Sequence, residues 1–586
     1  MNVPPFGPEL HADGITFRLW APAARRVELV RDGTQPMQQS GDGWYEATVP
    51  GIGAGALYKF RIDGELEVPD PASHFQPQDI PGPSEVIDHS DFAWRAAGWQ
   101  GRPWEDCVFL ELHVGVFTPE GRFRAIIEKL DHAVATGITA IELMPLADFP
   151  GRWNWGYDGV LLYAPDSSYG RPDDLKALID AAHQRGLMVF LDVVYNHFGP
   201  EGNYLGRYAP AFFTVGQTPW GSAIDYRVKE VRAFVIQNAL HWLKHYRFDG
   251  LRLDAVHAIV AAGEPHILHE LSQAVGEFAK ESGRHIHLVL ENDDNRATLL
   301  DPRSDPPAGK YRAQWNDDYH HAWHVLLTKE RHGYYRDYQK NPGADIARIL
   351  ASGFAYQGEA SPHRDGQPRG EASGALPPTA FVNFLQNHDQ IGNRPLGDRL
   401  ITQADDAALR AAVAVTLLAP MPPLLFMGEE WGSRQSFPFF CDFHGDLAEA
   451  VRKGRRAEFK DAYATPGEQI PDPLDEKTFR SAVLDWGARA TPHGRSWLEL
   501  VRNLLTVRAK EIAPRLPDVA FDRAQCEDDI LTASWRFSHG HLDLLANLSA
   551  HEGARPKEFS PDRAIWGGKP PETLPPWSVY WGIGGS

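Results

Sequence analysis

Cysteine is scarce in this 586-residue chain: Cys107, Cys441 and Cys526 lie too far apart for a metal-binding spacing or a disulfide framework. That excludes a disulfide-stapled scaffold and points to a reducing compartment. Positive charge is in deficit, with 58 Lys and Arg against 78 Asp and Glu and a net charge of −20. Nucleic acid and anionic membranes reward a basic surface, so neither is expected as a partner. A neutral polyol is compatible with the charge. No apolar run approaches the roughly 18 residues a membrane span needs. The opening Met1-Asn2-Val3-Pro4-Pro5-Phe6-Gly7-Pro8 has neither a basic segment nor an apolar one, so no signal peptide is read there. Internal repeats are absent too. The expectation is a cytoplasmic protein whose oligomeric state is open.

Length implies more than one domain. Over residues 1–92, short alternating segments (Ile15–Trp20, Val27–Val30, Trp44–Val49, Leu57–Ile62) are separated by Asp32-Gly33, Gly41-Asp42-Gly43 and Asp63-Gly64, the pattern of a small β-sandwich of the carbohydrate-binding, early-set kind. A Pro- and Gly-rich connector runs from Val68 to Pro83. From Val108 the rhythm becomes strand then helix. Strands are expected at Val108–Val114, Ala140–Pro145, Met188–Asn196, Leu251–Ala255, His287–Glu291, Tyr311–Asn316, Phe381–Asn387 and Pro423–Met427, with helices at Phe123–Thr136, Pro172–Arg185 and Lys229–Tyr246 among those between. Eight such units predict an α/β fold, a (β/α)8 TIM barrel spanning residues 93–514, closed by an amphipathic helix at Trp497–Lys510. A loop is read over Ala360–Pro378, and a small C-terminal β-domain over 515–586.

Reactive groups of such a barrel sit at the carboxyl ends of its strands. Three apolar runs close on a carboxylate there: Asp254 after Leu251-Arg252-Leu253, Glu291 after Leu288-Val289-Leu290, and Asp389 after Phe384-Leu385-Gln386-Asn387-His388. Retaining attack on a glycosidic bond calls for a nucleophile and an acid/base. Alternation puts Arg252 and Asp254 on one face, where the guanidinium orients the carboxylate and keeps it ionised; a buried ion pair is the plainer reading. Burial and the negative neighbours Asp293 and Asp294 are expected to keep Glu291 protonated. At the third strand, Asp192 can orient Arg252 while His197 donates to a sugar hydroxyl. Any one of these motifs alone reads as a polar turn; four of them in order at strand ends make a site.

These four segments resemble the signature regions of the α-amylase superfamily of glycoside hydrolases, through Asp192, Asn196 and His197, then Arg252 and Asp254, then Glu291, then His388 and Asp389; His257, at the end of the second segment, is a further candidate for binding substrate. The resemblance implies Asp254 as nucleophile, Glu291 as acid/base and Asp389 as transition-state stabiliser. Many relatives bind calcium through the asparagine matching Asn196; no cluster here demands a cation, so no metal site is assigned, a structural metal is left open, and no cofactor is expected. Nearly end to end, the chain also resembles the maltooligosyltrehalose trehalohydrolases, through Glu111–Thr118, Asn154–Gly159, Glu291–Asn295, Gln314–His321 and Asn387–Arg394. That implies cleavage of the α-1,4 bond next to a terminal α,α-1,1-linked disaccharide, releasing trehalose.

Hydrogen bonds to hydroxyls are what distinguish trehalose from maltose. Asp293, Asp294, Asn316 and Asp317, following the fifth and sixth strands, are the candidates; the plainer reading is that Asp317 and Asp318 cap a helix. Tyr157 is expected to stack on the attacked sugar, with Trp153, Trp155 and Trp220 candidates for other rings or for the core. Rival readings are a glycogen branching enzyme, with the same acids but a glucan acceptor, an α-1,6 debranching hydrolase, and a non-catalytic glycan-binding protein.

Overall fold

The computed structural model describes residues 3–218, 221–301, 311–459 and 470–585. Two amino-terminal sheets form first. One orders Glu9–His11, Gly14–Trp20, Trp44–Pro50 and Gln38–Gly41; the other orders Thr34–Pro36, Val27–Val30, Leu57–Ile62 and Leu66–Val68, with Ser84–Glu85 added on Leu57–Ile62. Their period-two apolar residues meet between the sheets, where Phe17 lies 4.6 Å from Tyr58 between ring centroids. Phe6 and Trp20 carry this unit onto the barrel, against Phe234 and Phe212 respectively.

The eight expected barrel strands all form, and all are parallel: Phe109–Leu112, Ala140–Leu143, Met188–Val193, Gly250–Leu253, His287–Leu290, Tyr311–Trp315, Phe381–Val382 and Leu424–Phe426. A bridge from Asn383 to Pro423 joins the seventh strand to the eighth and closes the ring. Inward side chains fill the lower barrel as an apolar plug of Phe109, Ala140, Phe190, Val289, Ala313, Val382 and Leu424, with Trp104 beneath it. Gly250 makes room for this plug: a Cβ there would sit 2.2 Å from the Phe190 ring and 2.5 Å from the His287 carbonyl. Alternation sets polar groups one layer higher. Asp192 is in register with Arg252, and Glu111 with Glu142.

The differences from expectation are local. Strands leave the ladder earlier, at Leu112 and Val193, because the chain must turn across the barrel mouth to present His113 and Asn196. The helix expected over Phe123–Thr136 is two pieces, Phe123–Ile127 and Leu130–Thr136. The first packs on Pro172–Gln184 and the second on Pro492–Val507, so the break at Lys129 re-aims the chain between two neighbours. The last barrel helix starts earlier than expected, at Pro492, where Thr491 accepts from the Gly494 amide. Ala360–Pro378 is not wholly irregular, since Glu359–Ala360 and Pro368–Arg369 pair as a short hairpin. The C-terminal sheet orders Ala520–Glu527, Ile530–Phe537, Gly540–Asn547, Val579–Gly584 and Arg563–Trp566; its first and last strands are not anticipated in the sequence reading. Among the described residues no helix is long and apolar enough to cross a membrane.

Candidate active site

Arg252 is the hub of the barrel mouth. Its Nη1 donates to Asp192 at 2.7 Å and to Asp254 at 2.9 Å, while its Nη2 lies 2.9 Å from Glu291. The guanidinium also lies 4.0 Å over the Trp315 ring, which fixes its plane. One buried cation thus compensates three acids. Ala255, the residue after Asp254, adopts the left-handed conformation at φ 39°, aiming its amide at Glu291 Oε2, 2.8 Å away. A non-glycine residue in that region is strained, and such strain clusters at reactive sites. Asn196 Nδ2 donates to the second Asp254 oxygen at 2.9 Å.

Burial raises the pKa of Asp254, with Arg252 pulling the other way. Burial likewise raises that of Glu291, opposed by Arg252 and reinforced by Asp254. The neighbour that reinforces this rise is Asp254 rather than the expected Asp293 and Asp294. Those two are ion-paired: Asp293 with Arg364 at 2.6 Å and Arg369 at 3.0 Å, Asp294 with Arg364 at 2.8 Å. Asp389 lies in the first turn of a short helix, His388–Gly392, whose cap Asn387 accepts from the Asp389 amide at 2.9 Å. Burial raises its carboxyl too, His388 opposing and Glu291 adding.

Neighbours complete the wall. The Tyr157 hydroxyl donates to Asp192, and its ring stacks on His388 at 5.0 Å. His388 is held by Glu111, which accepts from its backbone amide at 3.1 Å and from Nδ1. Burial alone would lower the His388 pKa, but Glu111 raises it overall. Asp317 is half-buried and takes a 3.3 Å bond from Gln390; burial, then Glu291, Asp293 and Asp389, push its carboxyl well up. His257 is exposed beside the acids, accepting at Nδ1 from the Asp293 amide at 3.3 Å.

Several sequence candidates are placed away from sugar contact. Both ring nitrogens of His197 face protein oxygens, Nδ1 towards Asn196 Oδ1 and Nε2 3.0 Å from the Tyr157 carbonyl, so it supports the wall rather than donating to a hydroxyl. Asn316 is fully buried and spends Nδ2 on Gly353 and Asn383. Trp155 is buried with its face stacked on Phe437, and Trp153 stacks on Phe479; both are core residues because their loop folds under the segment around Cys441. Trp220 lies outside the described residues. The Asn196 side chain is engaged by Asp254 and His197. The sequence reading missed Glu111, the Glu142 carboxyl beneath Asp192, and the arginines Arg364 and Arg369; an unbalanced Asp293-Asp294 pair was the one signal for the last two.

Residues 93–209 match the alpha amylase catalytic domain family, and residues 5–73 match carbohydrate-binding module 48, the isoamylase N-terminal domain. With the acids at the mouth of a parallel barrel, they define an α-amylase-type glycosidase. A relative from Deinococcus radiodurans named malto-oligosyltrehalose trehalohydrolase is 45% identical over 85% of this chain and 81% of its own. One of the same name from Saccharolobus solfataricus is 41% identical over 82% and 83%. The chain belongs to the malto-oligosyltrehalose trehalohydrolase family. A solved structure from Salmonella typhimurium, 46% identical, superposes with a TM-score of 0.94 over 99% of both chains. Pullulanase from Paenibacillus barengoltzii, at 20% identity and a TM-score of 0.73 over 100% of this chain and 95% of its own, shares the fold.

Proposed function

We propose that this chain hydrolyses the α-1,4-glucosidic bond next to the terminal trehalose unit of maltooligosyltrehalose, releasing trehalose and a maltooligosaccharide. The observation that carries the chemistry is the contact of Asp254 and Glu291 on one guanidinium. Two carboxyl groups gathered on one cation at the barrel mouth supply the nucleophile and the acid/base that retaining attack calls for. Asp254 attacks the anomeric carbon while Glu291 protonates the departing glycosidic oxygen, freeing trehalose. Glu291, now ionised, takes a proton from water, which attacks the glycosyl-Asp254 ester and restores the α configuration. Asp389 stabilises positive charge developing on the ring. Tyr157 supplies the stacking surface, and Asp293, Asp294, Asp317 and Arg364 flank the leaving-group side.

The chain divides, on this reading, into a glycan-directed sandwich at 1–92, the catalytic barrel at 93–514 and a β-domain at 515–586. The three cysteines are unpaired, which supports a cytoplasmic setting. The partner is a small neutral carbohydrate, not nucleic acid. Proton NMR of the first product formed tests the mechanism: α-anomer is expected at the newly formed reducing end, and β-anomer overturns it. Asp254→Ala should abolish turnover while leaving substrate binding largely intact; substantial residual hydrolysis removes Asp254 from its role.

A further inference from the structure

Four histidines converge at the junction of the amino-terminal unit and the barrel, outside the barrel mouth. His74 lies in the connector after the amino-terminal sheets and His89 follows the strand Ser84–Glu85, whereas His241 and His245 lie one turn apart on the helix Lys229–His245. Ring centroids are 4.6 Å apart for His74 and His241, 5.0 Å for His74 and His89, 5.1 Å for His89 and His241, and 4.6 Å for His89 and His245. One ring nitrogen from each of His74, His89 and His241 lies within 4.8 Å of the others.

Their hydrogen bonding is incomplete in a way that packing does not explain. Nδ1 of His74 and both ring nitrogens of His89 are buried without a partner. Buried polar atoms left unpaired are costly, and native proteins leave few of them. His241 Nε2 lies 3.0 Å from the Tyr163 carbonyl, which can only accept, so Nε2 carries the proton and Nδ1 keeps its lone pair. This is the tautomer fixed by an outer carbonyl that metal-bound imidazoles use.

We propose that His74, His89 and His241 bind one zinc-like divalent transition-metal ion, with His245 or water as the fourth ligand, pinning the connector to the barrel helix. An all-imidazole donor set suits zinc, cobalt, nickel or copper rather than calcium or magnesium, which take oxygen ligands. Tetrahedral zinc with nitrogen bonds of about 2.0–2.1 Å needs ligand nitrogens roughly 3.3 Å apart, a distance that rotations of rings already in contact can supply. Metal binding takes neutral imidazoles, and burial beside other histidines disfavours the charged form of each. The opposing charge is Lys176, whose Nζ reaches the His89 carbonyl at 3.4 Å; Asp173, at 3.3 Å, and the more distant Asp88 and Asp91 offset it. The site is structural, since none of its residues belongs to the barrel mouth.

The test uses the full-length protein without an affinity tag, stripped by chelator and titrated with cobalt(II). The expected result is about one equivalent bound per chain with the intense visible absorption of tetrahedral cobalt, displaced by zinc, and a Tm that rises with zinc. His89→Ala and His74→Ala should each weaken cobalt binding at least about tenfold and abolish the zinc-dependent rise in Tm. If His74→Ala does not fold, His89→Gln supplies the same comparison. Substoichiometric cobalt, an octahedral spectrum, or unchanged binding in a folded His89 variant overturns the proposal.

Discussion

The Ala255 amide donates to Glu291 at 2.8 Å from a backbone held at the left-handed φ of 39°. The residue after the proposed nucleophile thus positions the proposed acid/base, tying the ends of the fourth and fifth strands together.

A β-branched side chain at this left-handed position is costly, roughly 1–3 kcal/mol. Ala255→Val should therefore lower kcat by about tenfold or more while KM changes little, whereas Ala255→Gly, free to adopt positive φ, should stay close to wild type. Steady-state kinetics on both variants decide it; equal activity in the two would show that the amide does not position Glu291.

Arg252 compensates Asp192, Asp254 and Glu291 in a site where it is itself almost wholly buried. Arg252→Ala leaves three clustered acids without their cation, and a loss of about 3–5 kcal/mol of stability is expected by denaturant titration. Arg252→Lys keeps the charge but cannot serve three carboxylates in one plane, so it should fold and still lose most of kcat.

On the proposed mechanism, turnover requires Asp254 ionised and Glu291 protonated. Burial raises both, so the acid limb of the pH profile should lie above the usual aspartate value of about 3.9, and the alkaline limb above the usual glutamate value of about 4.3. Asp254→Asn removes a negative neighbour of Glu291 and should lower the Glu291 pKa, readable by carboxyl NMR. An unchanged or higher value contradicts the coupling.

Stability should depend on pH through Glu429, which burial pushes up to about 8. The folded state holds this proton more tightly than the unfolded chain. The stabilisation is full below the unfolded value of about 4.3 and is lost as pH rises towards 8. Glu429→Gln should flatten the fall in stability between those limits; an equally steep fall in urea titrations would place the effect elsewhere.

Arg364 pairs with both Asp293 and Asp294. Charge-assisted hydrogen bonds of this kind are worth about 1.5–3 kcal/mol, so Arg364→Ala should lower kcat/KM on maltooligosyltrehalose by roughly 10–100-fold. Residual cleavage of maltopentaose should change far less. A parallel loss on both substrates would mean that the loop supports the barrel rather than selecting trehalose.

The barrel and its acids were legible because period-two alternation and apolar runs ending in Asp or Glu are local signals. The (β/α)8 fold follows from them, and the family was read from the resemblance of the segments around those acids. Glu111 was not legible: a lone acid in an apolar strand, its role is set by His388, 277 positions away. Arg364 and Arg369 were hidden because a Gly- and Pro-rich stretch reads as a loop without saying what it reaches. Trp155 looked like a sugar platform, since composition cannot tell which face of an indole the core will cover; Phe437 covers it. His197 has the chemistry to meet a hydroxyl, but the fold turns it against Asn196 and Tyr157.

The central claim is tested most directly by incubating the protein separately with maltooligosyltrehalose, maltopentaose and amylose and identifying the products. The account predicts free trehalose and a maltooligosaccharide from the first, with little product from the other two. Branched glucan from amylose, or maltopentaose cut as readily as maltooligosyltrehalose, would contradict it.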